Sequence, residues 1–265
     1  MCGIAGFLTK KYDAKQLKKM TDVLQHRGPD AAGHFFEEDI GLGLGHRRLS
    51  ILDLSDLANQ PFDSKCGRYV MVFNGEVYNY KSIAAELKKE TSFTPTTTSD
   101  TEVILAAFAF WGTAFIEKLN GMFAIAIWDT HSGELFLARD RLGKKPLYYY
   151  ESGSQFAFAS ELKALKVLPF IPREIRPDAI KDFFAYQYIP DPKTIYRNVH
   201  KLSPGHWLKT GVKATQIEKY WDVSFRSPST ASESSLTSFS SWRLERPRTL
   251  PPSKILPSVT VSKTW

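Results

Sequence analysis

YVMVFNG at residues 69–75, FAIAIWD at 123–129 and ELFLARD at 134–140 are short apolar runs bounded by polar or turn-forming residues. Their length suits strands, and their almost continuous apolar character suits strands covered on both faces. GHFFE (33–37), IGLGLGHRRL (40–49), PLYYY (146–150) and QFAFAS (155–160) read the same way. Residues 13–25, 79–90 and 100–111 carry apolar side chains at helical spacing. Leu17, Met20 and Leu24 mark the first, Ile83 and Leu87 the second, and Val103, Ala106, Ala107 and Phe110 the third. Asp13 is placed to cap the first of these, and residues 178–188 suit one more helix. Strands outnumber helices. This favours stacked sheets sandwiched by helices over a doubly wound nucleotide fold. Residues 190–209 (PDPKTIYRNVHKLSPGHWLK) read as a turn-rich connection into a short strand.

The composition, 43% hydrophobic and 13% aromatic over 265 residues, is that of a globular protein with a packed core. A net charge of +7 raises the question of a polyanionic partner. Residues 226–265 hold six basic and two acidic side chains, so the other 225 residues carry only +3, and nucleic-acid binding loses most of its support. From about Phe225 the chain turns rich in Ser, Pro, Thr and Arg without a sustained period, and 224–265 reads as a disordered or out-of-frame tail. Two cysteines, Cys2 and Cys66, make no disulfide framework. No apolar stretch is long enough to span a membrane, and MCGIAGFLTKK is too short for a signal-peptide core. A cytoplasmic location is the expectation. The six histidines are scattered without metal-ligand spacing. GLGLG at 41–45 lacks the Lys-Ser/Thr ending of a phosphate loop and runs within an apparent strand.

Cysteine at position 2 has a chemical consequence. Removal of an initiator methionine leaves a thiol and a free amine on one residue. An α-amino group titrates near ~7.7–8.0, so a useful fraction is neutral at cellular pH and can take the thiol proton directly or through a water. No catalytic histidine is then required. Taken alone, Cys2 reads first as an ordinary small buried side chain.

Eight blocks in order set that residue in context: MCGIAGF (1–7), HRGPDAAG (26–33), GHRRLSILD (45–53), FNGEVYNY (73–80), TTSDTEVIL (97–105), LNGMFAIAIWD (119–129), RDRLGKKPLYY (139–149) and FASELKAL (158–165). Together they resemble the amino-terminal, class II glutaminase domain of glutamine-hydrolysing asparagine synthetases, over Met1 to about Val223. The resemblance implies an α+β fold of the Ntn hydrolase type, a four-layer αββα sandwich of two stacked, mainly antiparallel sheets. It places a domain core at about 2–170 and a connection at 171–223.

The resemblance also implies roles. Cys2 corresponds to the nucleophile that attacks the carboxamide of L-glutamine. Asn74 and Gly75 correspond to an oxyanion hole, a side-chain amide and a backbone N–H, with Gly75 allowing close approach. Arg48 corresponds to the arginine that pairs with the substrate α-carboxylate, and Leu49, Ser50, Ile51 and Leu52 extend along the ligand. Glu76 and Asp100 suit the α-ammonium. Read without the family, Asn74-Gly75 is a hairpin turn, Asp100 a helix cap, and either Arg47 or Arg48 a solvated charge. His26, Arg27 and Asp30 read as a polar network ordering the cysteine's surroundings.

Asparagine synthetases continue into a domain that adenylates aspartate, marked by SGGxDS, a motif that does not occur in these 265 residues. The expectation is therefore a chain ending before the synthetase domain, able to hydrolyse glutamine to glutamate and ammonia. ATP and Mg2+ belong to that other domain, and the glutaminase half needs no cofactor or metal. L-glutamine, the ammonia-accepting domain and a possible homodimer are the expected partners, with no nucleic acid and no membrane. Lys144 departs from the family, which usually has an apolar residue there. The alternatives are a glutaminase domain of another class II amidotransferase, or a non-catalytic truncated fragment.

Overall fold

The three runs that open the sequence reading become adjacent antiparallel strands at the centre of one sheet. The computed structural model describes residues 1–211 and 214–224, and residues 1–222 form one compact unit. The tail expected over 224–265 lies, from 225 onward, outside the described residues.

In chain order the elements are β1 (Gly3–Leu8), α1 (Ala14–Asp22), β2 (Ala31–Glu37), β3 (Leu42–Arg48), β4 (Phe62–Asp63), β5 (Tyr69–Val77), α2 (Tyr80–Glu90), α3 (Asp100–Trp111) and α4 (Phe115–Lys118). They continue as β6 (Gly121–Asp129), β7 (Glu134–Arg139), β8 (Tyr148–Ser152), β9 (Gln155–Ala159), α5 (Leu162–Leu165), α6 (Pro177–Tyr186), β10 (Val199–Lys201), β11 (His206–Gly211) and β12 (Gln216–Lys219). Two six-stranded sheets result, ordered β10-β8-β9-β1-β3-β2 and β12-β11-β7-β6-β5-β4, and every pairing is antiparallel.

Period-two alternation along the strands builds three apolar layers. Val70 and Val72 of β5 point inward to meet Leu42 and Leu44 of β3, with Trp128 and Leu137 between the sheets. Met71 and Phe73 point the other way, against Ile83, Leu87, Val103 and Phe115 of α2, α3 and α4. On the opposite outer face Ala5 and Phe7 of β1 receive Leu17, Met20 and Leu24. The result is the expected four-layer αββα sandwich.

α1 starts where Asp13 accepts hydrogen bonds from the Lys15 and Gln16 amides at 2.9 and 3.2 Å. Its Leu17 and Met20 are fully buried, each contributing ~1.5–3 kcal/mol relative to exposure. The glycines of GLGLG are what let this helix lie so close to the sheet: a Cβ on Gly45 would sit 2.4 Å from the Thr21 methyl. β1 and β10, absent from the sequence reading, complete the first sheet, while β4 and β12 form the edges of the second.

Candidate active site

Cys2 immediately precedes β1, which runs between β3 and β9 in the interior of its sheet, so the nucleophile candidate is held by a fully paired strand. Its Sγ lies 3.4 Å from the Leu49 amide N, which donates to it, and 3.6 Å from the Leu49 carbonyl. The HRGPD turn secures both sides of this contact. Arg27 Nε donates to the Cys2 carbonyl at 2.9 Å and Arg27 Nη1 to Glu161 at 2.9 Å, while His26 meets the same carboxylate at 2.9 Å. Asp30 accepts from the Ser50 amide at 2.8 Å.

The second sheet brings β5 to the same place. Asn74 is 1% exposed, and its Nδ2 has no hydrogen-bond partner. A buried amide donor left unpaired costs roughly 1–3 kcal/mol, so such a group marks a position where another acceptor belongs. Asn74 and Gly75 lie inside a continuous strand, not in a hairpin turn. Gly75 is opposite Phe123, whose N–H and C=O both go to Asp140 on the far side. The pair is therefore a non-hydrogen-bonded one, and the Gly75 N–H points away from β6. A Cβ at Gly75 would lie 2.3 Å from the Met122 carbonyl, so the glycine serves the packing of β5 on β6 as well as access to the site.

α3 contributes its first turn. Ser99, not Asp100, caps the helix, its Oγ accepting from the Thr101 amide at 3.1 Å. The Asp100 carboxylate instead accepts from the Val77 amide at 2.9 Å, joining α3 to the end of β5. Burial, with the Glu76 charge adding to it, pushes Asp100 up to about 6 despite that hydrogen bond. Burial also raises Glu76, and the cation of Lys145 opposes the rise. The Cys2 thiol is raised by burial, while the Leu49 backbone contact, the amine of Met1 and Lys145 pull it down.

Arg48, at the end of β3, is 6% exposed. Its Nη1 donates to the Ser55 carbonyl and to Asn59 Oδ1, both at 2.8 Å, and its Nη2 donates to the Asp53 and Leu52 carbonyls. The guanidinium thus closes the loop 52–59 over the cavity while standing at its wall.

These parts enclose one cavity of about 140 Å3. Of the residues singled out from the sequence, Cys2, Arg48, Leu49, Ile51, Leu52, Asn74, Gly75, Glu76 and Asp100 line it, whereas Ser50 does not and spends its amide on Asp30. Met1, Gln60, Thr101, Met122 and Lys145 line it as well. Gln60 braces the site by accepting from the Phe73 amide at 2.6 Å and reaching Thr101 Oγ1 at 3.4 Å. No group of three or more His, Cys, Asp or Glu side chains able to hold a metal occurs among the described residues. Nor is any helix there long and apolar enough to cross a membrane.

A thiol, an unspent amide donor, a second donor on the same strand and a pair of carboxylates lie together here, an arrangement suited to cleaving an amide that carries a cationic group. In comparisons with known proteins, residues 1–221 match the glutamine amidotransferase domain, and the chain belongs to that family. It is 38% identical over 241 residues to the putative asparagine synthetase [glutamine-hydrolyzing] 2 of Methanocaldococcus jannaschii, covering 83% of this chain and 46% of that protein. Asparagine synthetase [glutamine-hydrolyzing] 1 of Bacillus subtilis is 39% identical over 211 residues, covering 77% and 33%. Amidase chry2 of Gibberella zeae is 35% identical over 240 residues, covering 85% and 35%. The chain thus spans less than half the length of each of these relatives. Among solved structures, the glutamine phosphoribosylpyrophosphate amidotransferase of Bacillus subtilis superposes with a TM-score of 0.61 at 21% identity, over 83% of this chain and 49% of that one, and so shares the fold.

Proposed function

We propose that this chain is the glutaminase half of an asparagine-forming amidotransferase, with Cys2 as the nucleophile that converts L-glutamine to glutamate and ammonia. The observation that carries this reading is the buried, unpartnered Nδ2 of Asn74 on the wall of the cavity that holds the Cys2 thiol. Loss of Met1 frees the Cys2 amine, which takes the thiol proton. The sulfur attacks the carboxamide carbon, and the charge that develops on the oxygen is met by Asn74 Nδ2 and the Gly75 N–H. Collapse breaks the C–N bond, and the departing nitrogen takes the proton held by the protonated Cys2 amine to leave as ammonia. Water, deprotonated by the same amine, then cleaves the thioester and regenerates the thiol.

Glu76 and Asp100 hold the substrate ammonium, and Arg48 with the backbone of 49–52 holds the carboxylate. Because the Arg48 guanidinium already serves carbonyls of the 52–59 loop, binding the carboxylate exchanges part of that contact for a bidentate one. ATP and Mg2+ serve the ammonia-accepting synthetase domain, whose substrate is aspartate. A thiol nucleophile of this kind suits the reducing cytoplasm.

The test is intact-mass analysis of the purified protein before and after a diazoketone analogue of glutamine. Loss of Met1, one adduct at Cys2 and loss of nearly all glutaminase turnover in Cys2→Ser are expected. Retention of Met1 in active protein, or labelling at Cys66 instead, would overturn the assignment.

A further inference from the structure

Lys145 is a lysine with 5% exposure on the wall of the same cavity as Cys2, Asn74 and Glu76. Its backbone is clamped on both sides: its amide donates to Asp140 at 2.9 Å and its carbonyl accepts from Arg139 Nε at 2.9 Å. The same Asp140 carboxylate gathers the amides of Leu142 and Lys144, and that of Phe123 on β6, so the turn that delivers Lys145 is rigid. Among the described residues its ammonium makes no hydrogen bond and no ion pair. The neighbouring cations are committed elsewhere, Arg27 to the Cys2 carbonyl and Glu161, and Arg48 to the loop above. A largely buried lysine that lines such a cavity is a candidate for a role in its chemistry.

We propose that Lys145 is a positioning residue for the amide cleavage: its ammonium stabilises the thiolate of Cys2 and the anionic intermediate that follows, offsetting burial and the Glu76 carboxylate. The proposal rests on Cys2 being the nucleophile. Lys145 keeps its three protons throughout and forms no bond. The thiol proton goes to the terminal amine. The charged groups that bear on Cys2 are the amine of Met1, Glu76 and Lys145, and those that bear on Lys145 are Arg27, Cys2, Glu76 and Asp140. Burial and Arg27 draw the lysine below its ordinary range, while Cys2, Glu76 and Asp140 favour its charged form.

The experiment is the pH dependence of Cys2 alkylation by iodoacetamide, followed by mass spectrometry on folded protein lacking Met1. This readout needs no glutamine turnover. In Lys145→Met the midpoint should move up by a fraction of a unit, the effect of removing an opposite charge from the same cavity, with alkylation at neutral pH falling about two- to threefold. Lys145→Arg should keep the wild-type midpoint. Lys145→Gln gives a second neutral variant should the methionine fail to fold. Equal midpoints in the wild type and a folded neutral variant overturn the role of Lys145 alone. A Cys2 that stays unreactive in the wild type at every pH overturns the nucleophile assignment with it.

Discussion

His46 on β3 lies with its Nε2 3.1 Å from the Phe73 carbonyl on β5, a hydrogen bond that crosses from one sheet to the other next to Asn74. His46 is 1% exposed, and burial holds it neutral, down to about 3 from an ordinary value of 6.5. The ring therefore donates from Nε2. The unfolded chain takes up a proton below 6.5 that the folded chain refuses, so this residue makes stability fall as pH drops from about 6.5 toward 3. His46→Leu should cost about 1–3 kcal/mol by leaving the Phe73 carbonyl unpaired, read from urea unfolding at neutral pH. It should also flatten that acid slope.

Asn74→Ala removes a donor that has no partner in the folded chain, so the thermal midpoint should change little. Turnover of glutamine should fall by about 10²–10³, the cost of losing one oxyanion donor, with KM nearly unchanged. Steady-state kinetics beside a melting curve checks both halves, and a comparable loss in KM would move Asn74 to ground-state binding.

Asp100 titrates with the opposite sense. At about 6 its carboxyl lies above its ordinary 3.8, so the folded chain keeps a proton the unfolded chain has lost, and this residue makes stability fall as pH rises from 3.8 to about 6. Binding of a substrate ammonium needs the ionised form. The kcat/KM for glutamine should therefore decline as pH drops through about 6, and Asp100→Asn should bind glutamine poorly at every pH. A profile flat across that range would remove Asp100 from substrate binding.

Arg48→Ala should raise KM far more than it lowers kcat, because a carboxylate contact is present equally in ground and transition states. The same variant releases the carbonyls of Leu52, Asp53 and Ser55, so limited proteolysis should cut the 52–59 loop faster than in the wild type. Unchanged cleavage and an unchanged KM together would assign the arginine no part in either.

Much of this architecture can be read from alternation and spacing. The buried strands β5, β6 and β7 are largely apolar, and α1 carries its cap and periodic face in the sequence, whereas α3 is capped by Ser99 and buries Ile104, Leu105 and Phe108 while the expected Phe110 is exposed. β1 escaped because GIAGF is short and interrupted by two glycines, and β4 and β10 because two or three residues have no period. At the site, motif order pointed to nine of the residues that line the cavity, and missed Lys145. KKP offers two adjacent lysines with no pattern to say which is buried, and the turn organised by Asp140 decides it. Ser50 looked equal to its neighbours in RLSIL, but β3 ends at Arg48 and the segment beyond it is tied to Asp30 through the Ser50 amide.

Met1 forms part of the cavity wall, and its sulfur lies 3.9 Å from Arg27 Nη2. This sets a practical limit on how the protein is produced. A purification tag fused ahead of Met1 would start from the wall of that cavity and would withhold the amine that the proposed chemistry needs. The handle belongs on the opposite end of the chain, or must be cut so that cysteine becomes the first residue.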